Sequence, residues 1–87
     1  MKLKRIIIDV REPQEYSQGH AMGAINIPLS NINNLSQYLP DVNFDDELIL
    51  YCWSGGRAEM ACHSISMLGF SNVVNGVNQE AVEENYC

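Results

Sequence analysis

Glu47-Leu48-Ile49-Leu50-Tyr51-Cys52-Trp53-Ser54-Gly55-Gly56-Arg57 is the stretch that decides the fold. Leu48 to Tyr51 carry no charge and read as a buried strand that ends at Cys52. Beyond Arg57, Ala58, Ala61, Cys62, Ile65 and Leu68 recur mostly at three- and four-residue intervals, the signature of a helix with one apolar side. The local order is strand, tight turn, helix. Cys52 therefore stands where the N–H groups that open the helix point back at the loop. Gly55 and Gly56 let the chain curl so that several N–H groups converge, as in an anion nest. Those donors, the helix start and the Arg57 guanidinium all favour thiolate over thiol. The same letters also fit a buried structural cysteine ahead of an ordinary glycine turn.

Upstream, Arg5 to Val10 form a first strand, with Ile6, Ile7 and Ile8 suited to a parallel strand covered on both faces. Arg11 to Pro13 turn the chain, Pro13 fits the first turn of a short helix, and Glu15 supplies the acid that a helix start favours. Gly19 and His20 follow. Ala24 to Ile27 give a second short strand, closed by Pro28. Asn31 to Leu39 read as a helix with Ile32, Leu35 and Leu39 on one side, capped by Ser30 or Asn31 and stopped by Pro40. Asp41 to Asp46 are a polar link in which Val42 and Phe44 are anchors, and Asp45, Asp46 and Glu47 form an acidic run of the solvated kind.

Downstream, Cys62 reads as buried filler on the apolar stripe and His63 as exposed. Met60 and Met67 are placed to pack under a neighbouring loop. Gly69 ends the helix, Phe70 packs, and Asn72 to Asn75 form the last short strand. Glu80 to Tyr86 suit a short terminal helix with Ala81 and Val82 inward, and Cys87 is a mobile end. The alternation of strands and short helices predicts an α/β fold: a mostly parallel sheet with helices on both faces.

Composition narrows the function. The 87 residues suit one domain, spanning 1–87, with one modest core. Eleven acidic against five basic residues argue against binding to nucleic acid or an anionic membrane. Three cysteines is an odd count, which fits a reducing compartment or a working thiol better than a disulfide scaffold. Met1 to Arg5 is basic, but the apolar run after it is too short for a secretory signal and no stretch is long enough to span a bilayer. The expectation is a cytoplasmic chain, or a periplasmic one if a leader has been removed. The acidic run has no histidine or cysteine ligand nearby in sequence, so no metal is expected.

Four pieces, in order, resemble the rhodanese-like family. They are Asp9-Val10-Arg11-Glu12-Pro13 with Glu15 and Tyr16; Gly19-His20 with Gly23 to Leu29; Cys52 to Arg57; and Leu68-Gly69-Phe70 with Val73 and Val74. Together they cover most of the chain, whose length resembles the small single-domain members, including the phage-shock type. The resemblance implies a rhodanese-like sheet of four or five strands and a sulfurtransferase that needs no cofactor. Cys52 would take sulfane sulfur from thiosulfate or a persulfide, on a small molecule or a protein, and pass it to a thiol or cyanide-like acceptor. The N–H groups of Trp53, Ser54, Gly55, Gly56 and Arg57 would hold the persulfide anion, with Arg57 adding charge and closing the loop by hydrogen bonds.

By the same resemblance Asp9 and Arg11 frame the loop, and His20 pins the chain before the second strand rather than acting as a base. The family's pair of glycines after the last strand is incomplete, because the matching stretch reads Gly76-Val77-Asn78-Gln79. Related folds run phosphatase chemistry on a Cys-to-Arg loop with one more residue; the four between Cys52 and Arg57 favour sulfur. The rival of a different class is a rhodanese-like module without activity that serves in protein interaction or regulation.

Overall fold

The computed structural model describes residues 3–87. Met1 and Lys2, part of the basic start, lie outside the described residues. The elements are β1 (Arg5–Asp9), α1 (Pro13–Ser17), β2 (Ile25–Asn26), a 3-10 helix (Leu29–Asn34), α2 (Leu35–Tyr38), β3 (Glu47–Cys52), α3 (Gly56–Met67), β4 (Val73–Asn78) and α4 (Gln79–Asn85). The four strands form one parallel sheet in the order β2-β1-β3-β4. The expected α/β class is thus observed, with four strands.

Side chains alternate across the sheet, and both faces are covered. Ile8, Leu48, Leu50 and Cys52 point to one face, where Ile32, Leu35, Ala58, Ala61 and Ile65 from the 3-10 helix, α2 and α3 bury them. Ile7, Ile49 and Tyr51 point to the other, against Ala21, Ala24 and Val82, with Tyr16 and Tyr86 packed at the edge. Adjacent strand residues serve opposite layers, which is why β1 and β3 read as unbroken apolar runs.

Several local expectations are corrected. Asp46 is buried rather than solvated: its carboxylate accepts the N–H groups of Lys4 and Asn43, both at 2.9 Å, and ties the start of β1 to the turn before β3. Glu47 belongs to β3 and pairs with Arg5 at 2.6 Å. The single helix expected over Asn31 to Leu39 is a 3-10 segment followed by one turn of α-helix, and neither Ser30 nor Asn31 caps it. Three asparagines in this stretch compete for backbone hydrogen bonds, and the three-residue spacing of Leu29, Ile32 and Leu35 suits a 3-10 ridge.

Met60 and Met67 are exposed rather than packed under a loop of the described residues, and Leu68 is 46% exposed where the apolar stripe runs past the sheet. The last strand is longer than expected. It passes through Gly76 to Asn78 by a shift of register, in which Leu50 pairs with Asn75 but Tyr51 pairs with Val77. Gly76 is the skipped residue, and a Cβ there would come within 2.6 Å of Val82 Cγ2 and 3.0 Å of Ile49 Cγ2. α4 can therefore approach the sheet only over a glycine.

Candidate active site

β3 ends at Cys52 beside the middle of the sheet, and α3 begins four residues later. The cysteine is 2% exposed. Its Sγ accepts the N–H of Gly55 at 3.1 Å and that of Ala58 at 3.4 Å. Burial pushes the thiol up, but the backbone N–H groups of Ala58, Ser54, Gly55 and Arg57 outweigh it, so Cys52 lies below the ordinary cysteine value. Cys62 shows the contrast. It sits within α3 without such donors, and burial raises it to about 11.

Gly55 makes this geometry possible. It has φ 99, a left-handed conformation that a side chain would strain, and it turns its own N–H onto the sulfur. Gly56 differs, since it is the first residue of α3 and a Cβ there would meet nothing within 4 Å. The turn requires glycine at 55 and not at 56. Ser54 is exposed and Trp53 is 71% exposed, at the mouth of the loop.

The loop is clamped from behind by β4. Asn75 Nδ2 donates to the Gly55 carbonyl and to Glu59, both at 3.1 Å, while its Oδ1 accepts the Val77 N–H at 2.9 Å. Val77 holds φ 76, the conformation a second glycine would adopt freely, and its Cγ1 lies 3.4 Å from where a Cβ on Gly55 would stand. The missing glycine of the family pattern is thus a left-handed valine against the loop.

Arg57 does not close the loop with its side chain. Its guanidinium donates instead to both oxygens of Glu15, at 2.7 and 3.1 Å, across to α1. Glu15 is already fixed there, because it also accepts the Glu12 N–H at 2.9 Å. The Arg57 fork, then the Glu12 N–H, hold the Glu15 carboxyl down at about 2. Loop closure falls to N–H groups, whose short reach suits a six-residue turn better than a long side chain does.

Asp9 and Arg11 are buried behind the loop. Arg11 donates to both Asp9 oxygens at 3.0, 3.0 and 2.7 Å and to the Gly19 carbonyl at 2.7 Å. Tyr51 joins them, with its hydroxyl donating to Asp9 at 3.1 Å and accepting the Ala21 N–H at 2.9 Å. Burial raises the Tyr51 phenol to about 12. The Arg11 Cζ lies 5.6 Å from the Tyr51 ring centre and 5.9 Å from that of Trp53, so the buried pair sits beneath the residues flanking Cys52. His20 is exposed and stacked on Tyr16 at 3.7 Å, donating from Nδ1 to the Tyr16 carbonyl. It braces α1, and its hydrogen bond goes to Tyr16 and not to Cys52.

Glu15, Asn75 and Tyr51 were not singled out as site residues by the sequence. Glu15 meets Arg57 and Tyr51 meets Asp9 across 42 positions, and no local spacing reveals such pairs. Asn75 left one signal, an amide set in the apolar run Val73-Val74-Asn75-Gly76-Val77.

The rhodanese-like domain family model matches residues 1–77. Among curated relatives, the chain is 38% identical over 71 residues to a putative sulfur carrier protein, YrkF, of Bacillus subtilis, covering 82% of this chain and 37% of that protein. It is 39% identical over 69 residues to the thiosulfate sulfurtransferase PspE of Escherichia coli, covering 78% of this chain and 64% of that one. The chain thus spans less than two thirds of either relative's length. Among solved structures, a rhodanese with anions from E. coli superposes with a TM-score of 0.80 at 32% identity, over 88% of this chain and 89% of the other. A rhodanese-related protein from Thermoplasma volcanium gives 0.72 at 32% identity, over 95% and 81%. With its parallel sheet, its Cys52 loop at a strand end and these matches, the chain belongs to the rhodanese-like domain family.

Proposed function

We propose that the chain is a sulfurtransferase in which Cys52 carries the sulfur. The observation that supports this is the cradle itself: a cysteine held below its ordinary pKa by converging N–H groups, inside a turn sized for one sulfur. Cys52 thiolate attacks the outer sulfur of a sulfane donor such as thiosulfate or a persulfide. The Sγ–S bond forms, the donor's S–S bond breaks, and sulfite or a thiolate leaves with the electron pair. A thiol or cyanide-like acceptor then takes the outer sulfur and returns Cys52 to thiolate, so the kinetics are ping-pong.

The N–H groups from Trp53 to Arg57 hold the persulfide anion as an oxyanion hole holds oxygen. Arg57 acts through its backbone N–H and, paired with Glu15, anchors the helix start. Asp9, Arg11 and His20 keep the frame. Three free cysteines, one of them exposed, suit a reducing compartment such as the cytoplasm. Among the described residues no helix is long and apolar enough to cross a membrane.

Incubation with thiosulfate or a persulfide donor should add about 32 Da at Cys52, and Cys52→Ala should abolish the adduct. No adduct with any sulfane donor would refute sulfur transfer and leave the non-catalytic interaction module.

A further inference from the structure

The cations that the described residues bring to the Cys52 end of the sheet are already matched to carboxylates. Arg57 is held in a fork by Glu15, and Arg11 by Asp9. Lys4 and Arg5 stand at the far end of β1, where Arg5 pairs with Glu47. A strand of that length covers about 16 Å, beyond a screening length of about 8–10 Å. Neither can help an anion at Cys52.

The rim of the loop carries the opposite sign. A cleft of about 380 Å³ begins at the two residues that flank the nucleophile: Trp53, next in the chain, and Asn78, its partner across the sheet. Gln79, Glu80 and Glu83 continue it along α4, and Gln79 Nε2 donates to the Glu83 carboxylate at 3.2 Å. The Trp53 indole gives the cleft an aromatic wall whose face attracts cations and not anions.

Nest and rim therefore make different demands. The N–H groups of Gly55 and Ala58 converge on the Cys52 Sγ at 3.1 and 3.4 Å, in a turn with room for one further sulfur and little else. Whatever that sulfur is attached to stays outside, over the rim. We infer that the site selects sulfur donors and acceptors whose substituents are neutral or cationic, and disfavours a second negative charge beside the reacting sulfur. This rests on the sulfur-transfer reading above. Aminothiols, or thiols flanked by neutral or basic groups, and their persulfides form the favoured class; thiosulfate and carboxylated thiols form the disfavoured one.

The acceptor half-reaction tests this without an outside oxidant or reductant. An acceptor thiolate attacks the outer sulfur of the Cys52 persulfide. A new S–S bond forms on the acceptor, the Sγ–S bond breaks, and its electron pair stays on Sγ. Cys52 is loaded once, the adduct is verified by mass, and single-turnover decay is followed with 2-aminoethanethiol, 2-hydroxyethanethiol and 3-sulfanylpropanoate, each rate expressed per thiolate.

The expected order is cationic, neutral, anionic, with about a tenfold spread that shrinks as salt screens the rim. In Glu80→Gln/Glu83→Gln the spread should fall to about threefold, chiefly because the anionic acceptor speeds up. Equal rates, a faster anionic acceptor, or a spread unchanged in the double variant would overturn the inference. Failure of Cys52 to load from any donor is seen before an acceptor is added, and removes the sulfurtransferase reading together with this one.

Discussion

The pairing of Arg57 with Glu15 makes a sharp prediction about the nucleophile. A free guanidinium beside Cys52 would stabilise its thiolate directly. Here the guanidinium is bound through two oxygens of a carboxylate that stays ionised down to about pH 2. The pair presents little net charge, and the N–H groups of Ala58, Ser54, Gly55 and Arg57 remain whatever side chain stands at 57. Arg57→Ala should therefore raise the Cys52 pKa by less than about half a unit, under about 0.7 kcal/mol. Glu15→Gln exposes the charge. Even with the screening of bulk water, a unit charge about 4 Å from a thiolate is worth about 1 kcal/mol, so the Cys52 pKa should fall by at least about 0.7 of a unit. Arg57→Ala added to Glu15→Gln should cancel that fall.

The assay is the pH dependence of Cys52 alkylation by iodoacetamide, with Cys62→Ser and Cys87→Ser in all variants. Circular dichroism confirms that each variant is folded. A rise of a full unit or more in Arg57→Ala alone would show that the guanidinium charge governs the thiol and that the N–H nest is secondary. A rise in Glu15→Gln would refute charge compensation by Glu15.

Glu15 also predicts an acid limb. Its folded pKa, about 2, lies below the ordinary glutamate value of 4.5, so its contribution is fully present above about pH 4.5 and is lost as pH falls through about 2; denaturant titrations should show stability declining across that window, and a smaller decline in Glu15→Gln. The Tyr51 phenol shifts the other way, up to about 12 from 10.0, so its contribution is present below about pH 10 and lost as pH rises through about 12. Tyr51→Phe should abolish this alkaline loss and cost about 1–3 kcal/mol at neutral pH, because the buried Ala21 N–H loses its acceptor; a cost under about 0.5 kcal/mol would mean that water replaces the hydroxyl. Gly76→Ala forces a Cβ to within 2.6 Å of Val82 and should destabilise by about 1–3 kcal/mol, lowering Tm by at least about 4 °C; an unchanged Tm would mean that α4 yields freely.

The layers of the fold were legible because they depend on local pattern. Ile6 to Ile8 and Leu48 to Tyr51 are too apolar to face water on either side, which calls for a parallel strand between helices, and the Cys52 turn shows its glycines openly. What the tertiary structure alone decided are the pairings between distant segments. The acidic run looked solvated because charges near one another in sequence usually are, yet the fold brings the Lys4 and Asn43 N–H groups onto Asp46 and makes burial favourable. The family resemblance pointed to Arg57 as the side chain that closes the loop; a carboxylate fixed on α1 is the better partner, since it accepts both arms of the fork. The sequence by itself determined the nucleophile, its turn and the layers around it, all products of neighbours along the chain. The charge surrounding the nucleophile was decided only by tertiary structure, because electrostatics follows distance in space, and the residues that set it here come from α1, β4 and α4.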